Sequence, residues 1–187
     1  MVVKMKITFN DCKKYFICFI LYAIIGWCYE VFLEVFVYQW GFSNRGFLFG
    51  PYCPVYGFGA LIFILTLTKL KNTKIRLWKI NITPVLVFCG ITAIATGVEL
   101  VASYLLQIFT GGWLWDYTKY SFNFEGRIAL NPSIRFGIGG MVFMYILQPL
   151  FEKVVNRFSD KKLNIIFTIL LSIISIDLVV KIISMVI

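Results

Sequence analysis

Four carboxylates lie inside apolar stretches of the sequence. Glu30 and Glu34 are four residues apart, Glu99 stands in a later stretch, and Asp177 stands in the last one. Residues four apart project from one face of a helix, so Glu30 and Glu34 are expected to act together. An ionised side chain facing lipid costs at least about 2.5–3.5 kcal/mol. These acids are therefore expected to face the protein interior, a water-filled cavity or a counter-ion.

Basic residues follow the same stretches and offer counter-ions. The guanidinium groups of Arg45, Arg127 and Arg135 suit carboxylates because their planar fork binds two oxygens at once, and Lys181 lies one helical turn beyond Asp177. One interpretation is a structural salt-bridge belt that locks helices together. The other is a polar vestibule for an ionic or zwitterionic solute or a lipid headgroup, and the sequence leaves both open. The predicted substrate or ion site comprises Glu30, Glu34, Asn44, Arg45, Tyr56, Glu99, Asp116, Arg127, Asn131 and Arg135.

Other site chemistries lack their residues. The chain contains no histidine, which excludes a His-based catalytic triad and disfavours a zinc or haem site. It also lacks the GxxxxGK[ST] pattern of ATP hydrolysis, and its five cysteines form no CxxC pair. We therefore expect no cofactor and no metal. We also expect no enzymatic activity, with a hydrolase or transferase that uses the membrane carboxylates as the weakly supported alternative.

The elements that must position these residues are membrane helices. With 60% hydrophobic residues, the chain has too little polar surface to cover a globule in water. About 20 apolar residues cross a bilayer, and the sequence predicts five such helices at about 15–39, 51–70, 84–110, 134–152 and 163–186. We expect an all-α integral membrane protein, a five-helix bundle forming a single domain over residues 1–187. The aromatic link at 111–133 is predicted to be a helix or re-entrant segment on the outer membrane surface.

The distribution of charge predicts the topology. If the N-terminus is cytoplasmic, the inner side receives 13 of the 18 basic residues: Lys4, Lys6, Lys13, Lys14, Lys69, Lys71, Lys74, Arg76, Lys79, Lys153, Arg157, Lys161 and Lys162. By the positive-inside rule, the N-terminus is expected inside and the C-terminus outside a bacterial plasma (inner) membrane. The positive charge is explained in this way without nucleic acid.

An internal repeat is predicted from two similar stretches, GFLFGPYCPVYGFGA (46–60) and GRIALNPSIRFGIGG (126–140). Each follows a helix with an acid at similar depth, Glu30 or Glu99, so helices one–two and three–four would form a parallel repeat. Pro51 and Pro132 are expected to begin helices two and four. The glycine patches are expected to pack between the repeats. The packing or hinge residues are Gly46, Gly50, Pro51, Gly57, Gly59, Gly137 and Gly139.

The pattern G-W-x-x-E, N-R-G-x-L-x-G-P and P-x-Y-G-x-G-A resembles a bacterial family of ABC-transporter permeases (type IV, CmpB-like). Its residues here are Gly26, Trp27, Glu30, Asn44, Arg45, Gly46, Leu48, Gly50, Pro51, Pro54, Tyr56, Gly57, Gly59 and Ala60. Later residues are also similar to the family: Glu99, Leu100, Trp115, Asp116, Tyr117, Gly126, Arg127 and Ile128. The resemblance spans residues 20–150. It implies a small permease subunit that works with a separate ATPase.

The partners expected are membrane lipid and that ATPase. A second copy of the chain is also expected, because five small helices enclose too little space for a transport pathway. The basic link Lys71–Asn81 offers an ATPase docking element, although its plainer interpretation is an anchor on anionic lipid. The alternative function is a non-transporting scaffold or a lipid- or ion-binding membrane protein whose charges are structural.

Overall fold

The structure is a computed structural model that describes residues 8–113 and 115–186. Within them, five helices are long and apolar enough to cross a membrane: Phe9–Val37, Pro54–Lys71, Thr83–Phe109, Leu130–Val155 and Asp160–Met185. This confirms the all-α membrane bundle.

Six α-helices and four two-residue strands form the described chain. In order they are α1 (Phe9–Phe32), α2 (Pro54–Lys71), β1 (Arg76–Leu77), β2 (Ile80–Asn81), α3 (Thr83–Thr110), β3 (Asn123–Phe124), β4 (Ile128–Ala129), α4 (Leu130–Val142), α5 (Gln148–Val155) and α6 (Asp160–Val186). Two π-helical segments extend this pattern. Leu33–Val37 continues α1, and Phe143–Leu147 joins α4 to α5 as one long helix.

Three helices begin at residues other than those predicted. Helix α1 begins before residue 15 because Thr8 and Asp11 form a capping box at its N-terminus. Helix α2 begins at Pro54, so the prediction that Pro51 begins it is wrong. Helix α4 begins at Leu130, earlier than predicted, and includes Pro132 in its first turn.

The link at 111–133 contains no helix before Leu130 among its described residues. Of its two predicted forms, a helix or a re-entrant segment on the membrane surface, the helix is therefore wrong. Instead β3 and β4 form an antiparallel hairpin in which Phe124 pairs with Ile128. The hairpin turns at Glu125 and Gly126, which both have positive φ (53° and 66°). Two successive left-handed residues favour a tight hairpin over a helix. A second hairpin joins β1 to β2, with Trp78 at its turn.

The described residues divide into two compact units, one within Met1–Leu61 and Pro149–Ile187 and the other within Ile62–Gln148. In the first unit α1 packs on α6. Its core includes Ala23, Leu48 and Tyr52, with Ile174 of α6 packed against them. Near the start of both helices, the buried Lys13 donates to the Oδ1 atom of Asn164 (2.6 Å).

In the second unit α3 packs on α4. A Cβ atom added to Gly137 would lie 2.3 Å from Thr92 Oγ1, and one added to Gly140 would lie 2.3 Å from Ile91 Cγ2. Glycine is therefore required for the close approach of these two helices. In the π segment, the carbonyl oxygen of Met144 accepts a hydrogen bond from Lys71 Nζ (2.6 Å).

The predicted packing glycines fall into two groups, those at which an added Cβ atom would clash with a neighbour and those at which it would not. In the first unit, a Cβ atom on Gly57 would lie 2.6 Å from ring atoms of Phe19 in α1. Gly57 and Gly137 thus each pack within a helix pair of their own unit. At Gly59 and Gly139 an added Cβ atom would meet nothing within 4 Å, so neither makes a close contact in the described structure.

Candidate functional site

Glu34 is the most completely paired acid of the first unit. It lies in the π segment that follows α1 and is buried. Arg45 donates from Nε to Oε2 (2.9 Å) and from Nη2 to Oε1 (2.7 Å). Ser43 adds its hydroxyl to Oε1 (2.7 Å) and its backbone amide to Oε2 (3.3 Å). This carboxylate therefore receives four hydrogen bonds and a guanidinium charge, as an ionised acid in an apolar setting requires.

The segment that carries Arg45, here called the Arg45 loop (residues 38–53), is held by side chains of α1 and of the loop itself. Trp27 Nε1 donates to Asn44 Oδ1 (2.8 Å), and Asn44 Nδ2 donates to the carbonyl oxygen of Phe49 (2.8 Å). Gly46 has φ +100°, and a Cβ atom there would lie 3.0 Å from Cys53 Sγ. Asn44 and Gly46 thus shape the loop that positions Arg45. Gly50 also lacks room for a side chain, since a Cβ atom there would lie 2.3 Å from the Tyr52 ring.

Asp177 of α6 docks on this loop. Its carboxylate accepts from the backbone amides of Phe49 (3.0 Å) and Gly50 (2.8 Å) and from the hydroxyl of Tyr52. Burial, together with the hydrogen bond to Asp177 and its charge, raises the pKa of Tyr52 above its usual range. Lys181 was the predicted partner, and its charge acts on the Asp177 carboxylate. Its ammonium lies over the Phe49 ring, 4.8 Å from the centroid, and forms no ion pair among the described residues.

Glu30 has a different environment from Glu34, although the sequence predicted a shared face. The hydroxyl of Tyr56 in α2 donates to Glu30 Oε1, and the described residues offer Glu30 no ion pair. The Tyr56 ring lies over Gly26, where an added Cβ atom would be 2.2 Å from Tyr56 Cγ. Burial and the charge of Glu30 raise the pKa of the Cys53 thiol to about 11, with Arg45 opposing the shift.

A polar stripe runs along α3 in the second unit. Thr96, Glu99, Ser103 and Gln107 recur at intervals of three and four residues, so they share one face of the helix. Thr96 Oγ1 donates to Ser133 Oγ of α4 (2.8 Å). The hydroxyl of Tyr117 donates to Glu99 Oε1 (2.8 Å). Glu99 Oε2 is buried and has no hydrogen-bond partner among the described residues.

Arg127 completes the stripe. Its side chain is only 6% exposed, and it donates from Nε to Glu125 Oε2 (3.0 Å) and from Nη1 to Ser103 Oγ (3.3 Å). Nη2 donates to Gln107 Oε1. The rings of Tyr104 and Trp113 lie 4.1 Å and 4.0 Å from the guanidinium carbon. The prediction that Arg127 balances one of the four membrane acids is therefore wrong, because its described ionic partner is Glu125.

The segment that carries Arg127 is here called the Arg127 loop (described residues 111–113 and 115–129). Trp115 Nε1 donates to the Arg127 carbonyl oxygen (2.7 Å). Asp116 is exposed and caps its own turn, accepting from the amide (2.9 Å) and hydroxyl (3.0 Å) of Thr118. These bonds lower the pKa of Asp116 below its usual range. Asp116 therefore shapes the loop and makes no described contact with Glu99.

The last two predicted site residues lie on the exposed side of α4. Asn131 lines a shallow cavity of about 400 Å³ together with Lys119 and Ser121 of the Arg127 loop. Arg135 is exposed and forms no ion pair with any described residue, contrary to its predicted role as a counter-ion. Neither residue contacts Glu99 in the described structure.

Comparison with known proteins decides the family. A family model described as "Putative ABC-transporter type IV" (CmpB) matches residues 17–182. The chain belongs to this family. No curated protein and no solved structure matches the chain significantly.

The family description and the five apolar spans of the described residues agree on a transmembrane protein. The matched residues extend over both units and include the four membrane acids, Glu30, Glu34, Glu99 and Asp177. The sequence predicted Glu30, Glu34 and Glu99 as site residues, and the family pattern included Tyr117, but not as a contact of Glu99. Several other side chains that contact Glu34 or Arg127 were not predicted: Ser43, Ser103, Tyr104, Gln107, Trp113 and Glu125. Ser103 and Gln107 had a detectable signal, because they lie four and eight residues beyond Glu99.

Proposed function

We propose that the chain is the membrane-embedded permease subunit of an ATP-driven transporter, with one polar site in each of its two units. The observation that carries this proposal is the contrast among its membrane acids. Glu34 and Asp177 receive four and three hydrogen bonds. Glu30 and Glu99 each receive one, from a tyrosine hydroxyl, and have no cation among the described residues.

A purely structural belt does not account for Glu30 and Glu99. An acid within a membrane span is costly, and a fold can compensate only through counter-ions and hydrogen-bond donors. Arg45 with Glu34 and Arg127 with Glu125 follow that rule and act as braces. We assign Glu30 with Tyr56, and Glu99 with Tyr117, to the sites that meet an ionic or zwitterionic solute.

The topology proposed for this function places the N-terminus in the cytoplasm and the C-terminus outside the bacterial plasma membrane. Alternation of the five spans then puts the Arg45 loop and the Arg127 loop outside, where the solute enters or leaves. The β1–β2 hairpin lies on the cytoplasmic side. This topology is supported by the positive-inside distribution of Lys and Arg.

Energy for transport must come from a separate subunit, because the sequence lacks an ATP-hydrolysis motif. The β1–β2 hairpin presents basic residues around Trp78, whose side chain is 94% exposed. This basic, apolar tip suits an acidic groove on an ATPase as well as an anionic lipid surface. A second copy of the chain would enlarge the pathway.

The proposal is tested by purifying the chain gently from native membranes into nanodiscs and identifying co-purified proteins by mass spectrometry. A stoichiometric ATPase is the expected result. A homo-oligomer without any ATPase would overturn the permease proposal and support a scaffold that binds lipid or ions.

With the complex in hand, ATP hydrolysis would be measured across candidate solutes for wild type, Glu30→Gln and Glu99→Gln. Loss of solute stimulation with the complex intact supports the assigned sites. The matched control is Cys89→Ser, which changes an exposed residue of α3 outside the polar stripe.

A further inference from the structure

We propose that Glu99 is a proton-binding site, with the proton on Oε2 and the Tyr117 hydroxyl bound to Oε1. The carboxyl group is then neutral at pH 7. Proton uptake converts the carboxylate and a hydronium ion into a carboxylic acid and water, and changes the charge of the second unit by one. This goes beyond the proposed transport function and does not depend on an ATPase.

The Glu99 carboxyl group receives fewer hydrogen bonds than an ionised carboxylate requires. An ionised carboxylate has about four acceptor positions, and Glu34 fills all of them with Arg45 and Ser43. Glu99 fills one, while its second oxygen is buried without a partner among the described residues. Leaving an anion in that condition costs far more than leaving a neutral acid.

Glu99 also has no counter-ion among the described residues. On the Arg127 loop, the guanidinium of Arg127 binds Glu125, Ser103 and Gln107. The remaining titratable groups that face α3 from its own turns, the loop and α4 have other partners or are exposed: Tyr104 donates to Glu125, Asp116 accepts from Thr118, and Lys119 and Arg135 form no described ion pair. A proton is the simplest cation that can neutralise Glu99.

The polar stripe around Glu99 offers no free hydroxyl donor to Oε2. Thr96 and Ser103 lie one helical turn to either side of Glu99, and both hydroxyl groups are already donating, to Ser133 Oγ and to the Leu100 carbonyl oxygen. Neither hydrogen is available for Oε2. The unpartnered oxygen therefore lies between saturated neighbours, and only the acid's own proton removes its charge.

Infrared spectroscopy of the purified chain in nanodiscs, with ¹³C-labelled glutamate and without amine buffers, tests this directly. At pH 7 we expect a protonated-carboxyl C=O band that is lost in Glu99→Gln and kept in Glu34→Gln. The control Glu30→Gln shows whether the other acid that accepts from a tyrosine hydroxyl contributes to this C=O band. If subtracting the Glu99→Gln spectrum removes only carboxylate bands, Glu99 is ionised and the proposal is overturned.

A second variant keeps the test decisive if Glu99→Gln does not fold. Tyr117→Phe removes the hydroxyl hydrogen bond to Oε1, so the same C=O band is expected to shift to higher frequency while keeping its intensity. A band that is unchanged in Tyr117→Phe would not belong to Glu99 and would overturn the proposal. Neither experiment involves an ATPase or a solute, so failure here leaves the transport proposal to its own test.

Discussion

In the Arg45 loop the arginine pairs with an acid of the adjoining helix, whereas in the Arg127 loop the arginine pairs with an acid of the loop itself. The two loops otherwise share their parts. Each has a tryptophan indole that donates into the segment carrying the arginine, through Trp27 to Asn44 (2.8 Å) or Trp115 to the Arg127 carbonyl oxygen (2.7 Å). Each is also linked to a helix whose glutamate accepts from a tyrosine hydroxyl.

An arginine near a membrane acid is therefore not necessarily its counter-ion. Glu125 occupies Nε of Arg127, and two aromatic rings enclose the guanidinium. The longer loop thus satisfies its own cation and leaves Glu99 with a neutral partner. The shorter loop lacks such an acid, so Arg45 pairs with Glu34 of the helix.

The largest effect is expected from Arg127→Ala. The change removes hydrogen bonds to Glu125, Ser103 and Gln107 and the contacts with two rings, for a loss of about 3 kcal/mol of unfolding free energy. Thermal unfolding in detergent measures it. Arg135→Ala, which alters an exposed arginine on α4, should change the stability by about 0.5 kcal/mol at most. Equal losses for both variants would contradict the bracing role of Arg127.

Alanine at the helix-packing glycines should come next. Gly137→Ala forces a methyl group against Thr92 and Phe88, and overpacking of this kind costs about 1–3 kcal/mol. Gly139→Ala, two residues away and in open space, should be neutral or stabilising because alanine favours helix. Gly57→Ala and Gly59→Ala form the same pair in the first unit. The comparison breaks if the two members of either pair have the same melting temperature.

A smaller effect is expected from Glu34→Gln. Glutamine keeps the shape but loses the charge-assisted bonds to Arg45, which costs about 1–2 kcal/mol because Arg45 is partly exposed. Glu99→Gln replaces an acid that has no described cation, so its melting temperature should stay close to that of wild type. A greater loss in Glu99→Gln than in Glu34→Gln would reverse the contrast between the two loops.

The smallest effect concerns acid pH at the Arg127 loop. The pKa of Asp116 is lowered by Thr118, so its contribution is present above the ordinary carboxyl value of about 4 and is lost as pH falls through the lowered value. Hydrogen exchange of the Thr118 amide should therefore become less protected in acid. Asp116→Asn keeps an acceptor without titrating, and its protection should not depend on pH in that range.

The sequence predicted the helices well because about 20 apolar residues in a row have few other solutions. It also predicted Arg45 as a counter-ion of the membrane acids, and the structure pairs it with Glu34. Its boundaries failed where single side chains decide them, as Thr8 and Asp11 do at α1. The two hairpins were missed because strands of two residues carry no periodic signal.

The site was harder to predict than the fold, because the distribution of hydrogen bonds depends on loop geometry. Glu125 and Gly126 form the left-handed turn that brings the Glu125 carboxylate to Arg127, and no spacing rule indicates that Arg127 pairs with Glu125 and not with Glu99. Likewise, four-residue spacing placed Glu30 and Glu34 on one face. The structure gives them different partners, Tyr56 and Arg45, and places Glu34 in the π-helical segment that follows α1.

That π-helical segment, Leu33–Val37, also makes chain length a structural variable. A π turn accommodates one residue more than the α-helical period, and the amide of Tyr38 accordingly bonds to the carbonyl of Leu33 (2.8 Å). Deleting one residue here would restore the α-helical period and rotate the following chain by about 100° around the helix axis. The Arg45 loop would then leave the helix from another side, away from Glu34. A single-codon deletion, which changes no side chain of the site, is thus enough to separate its ion pair.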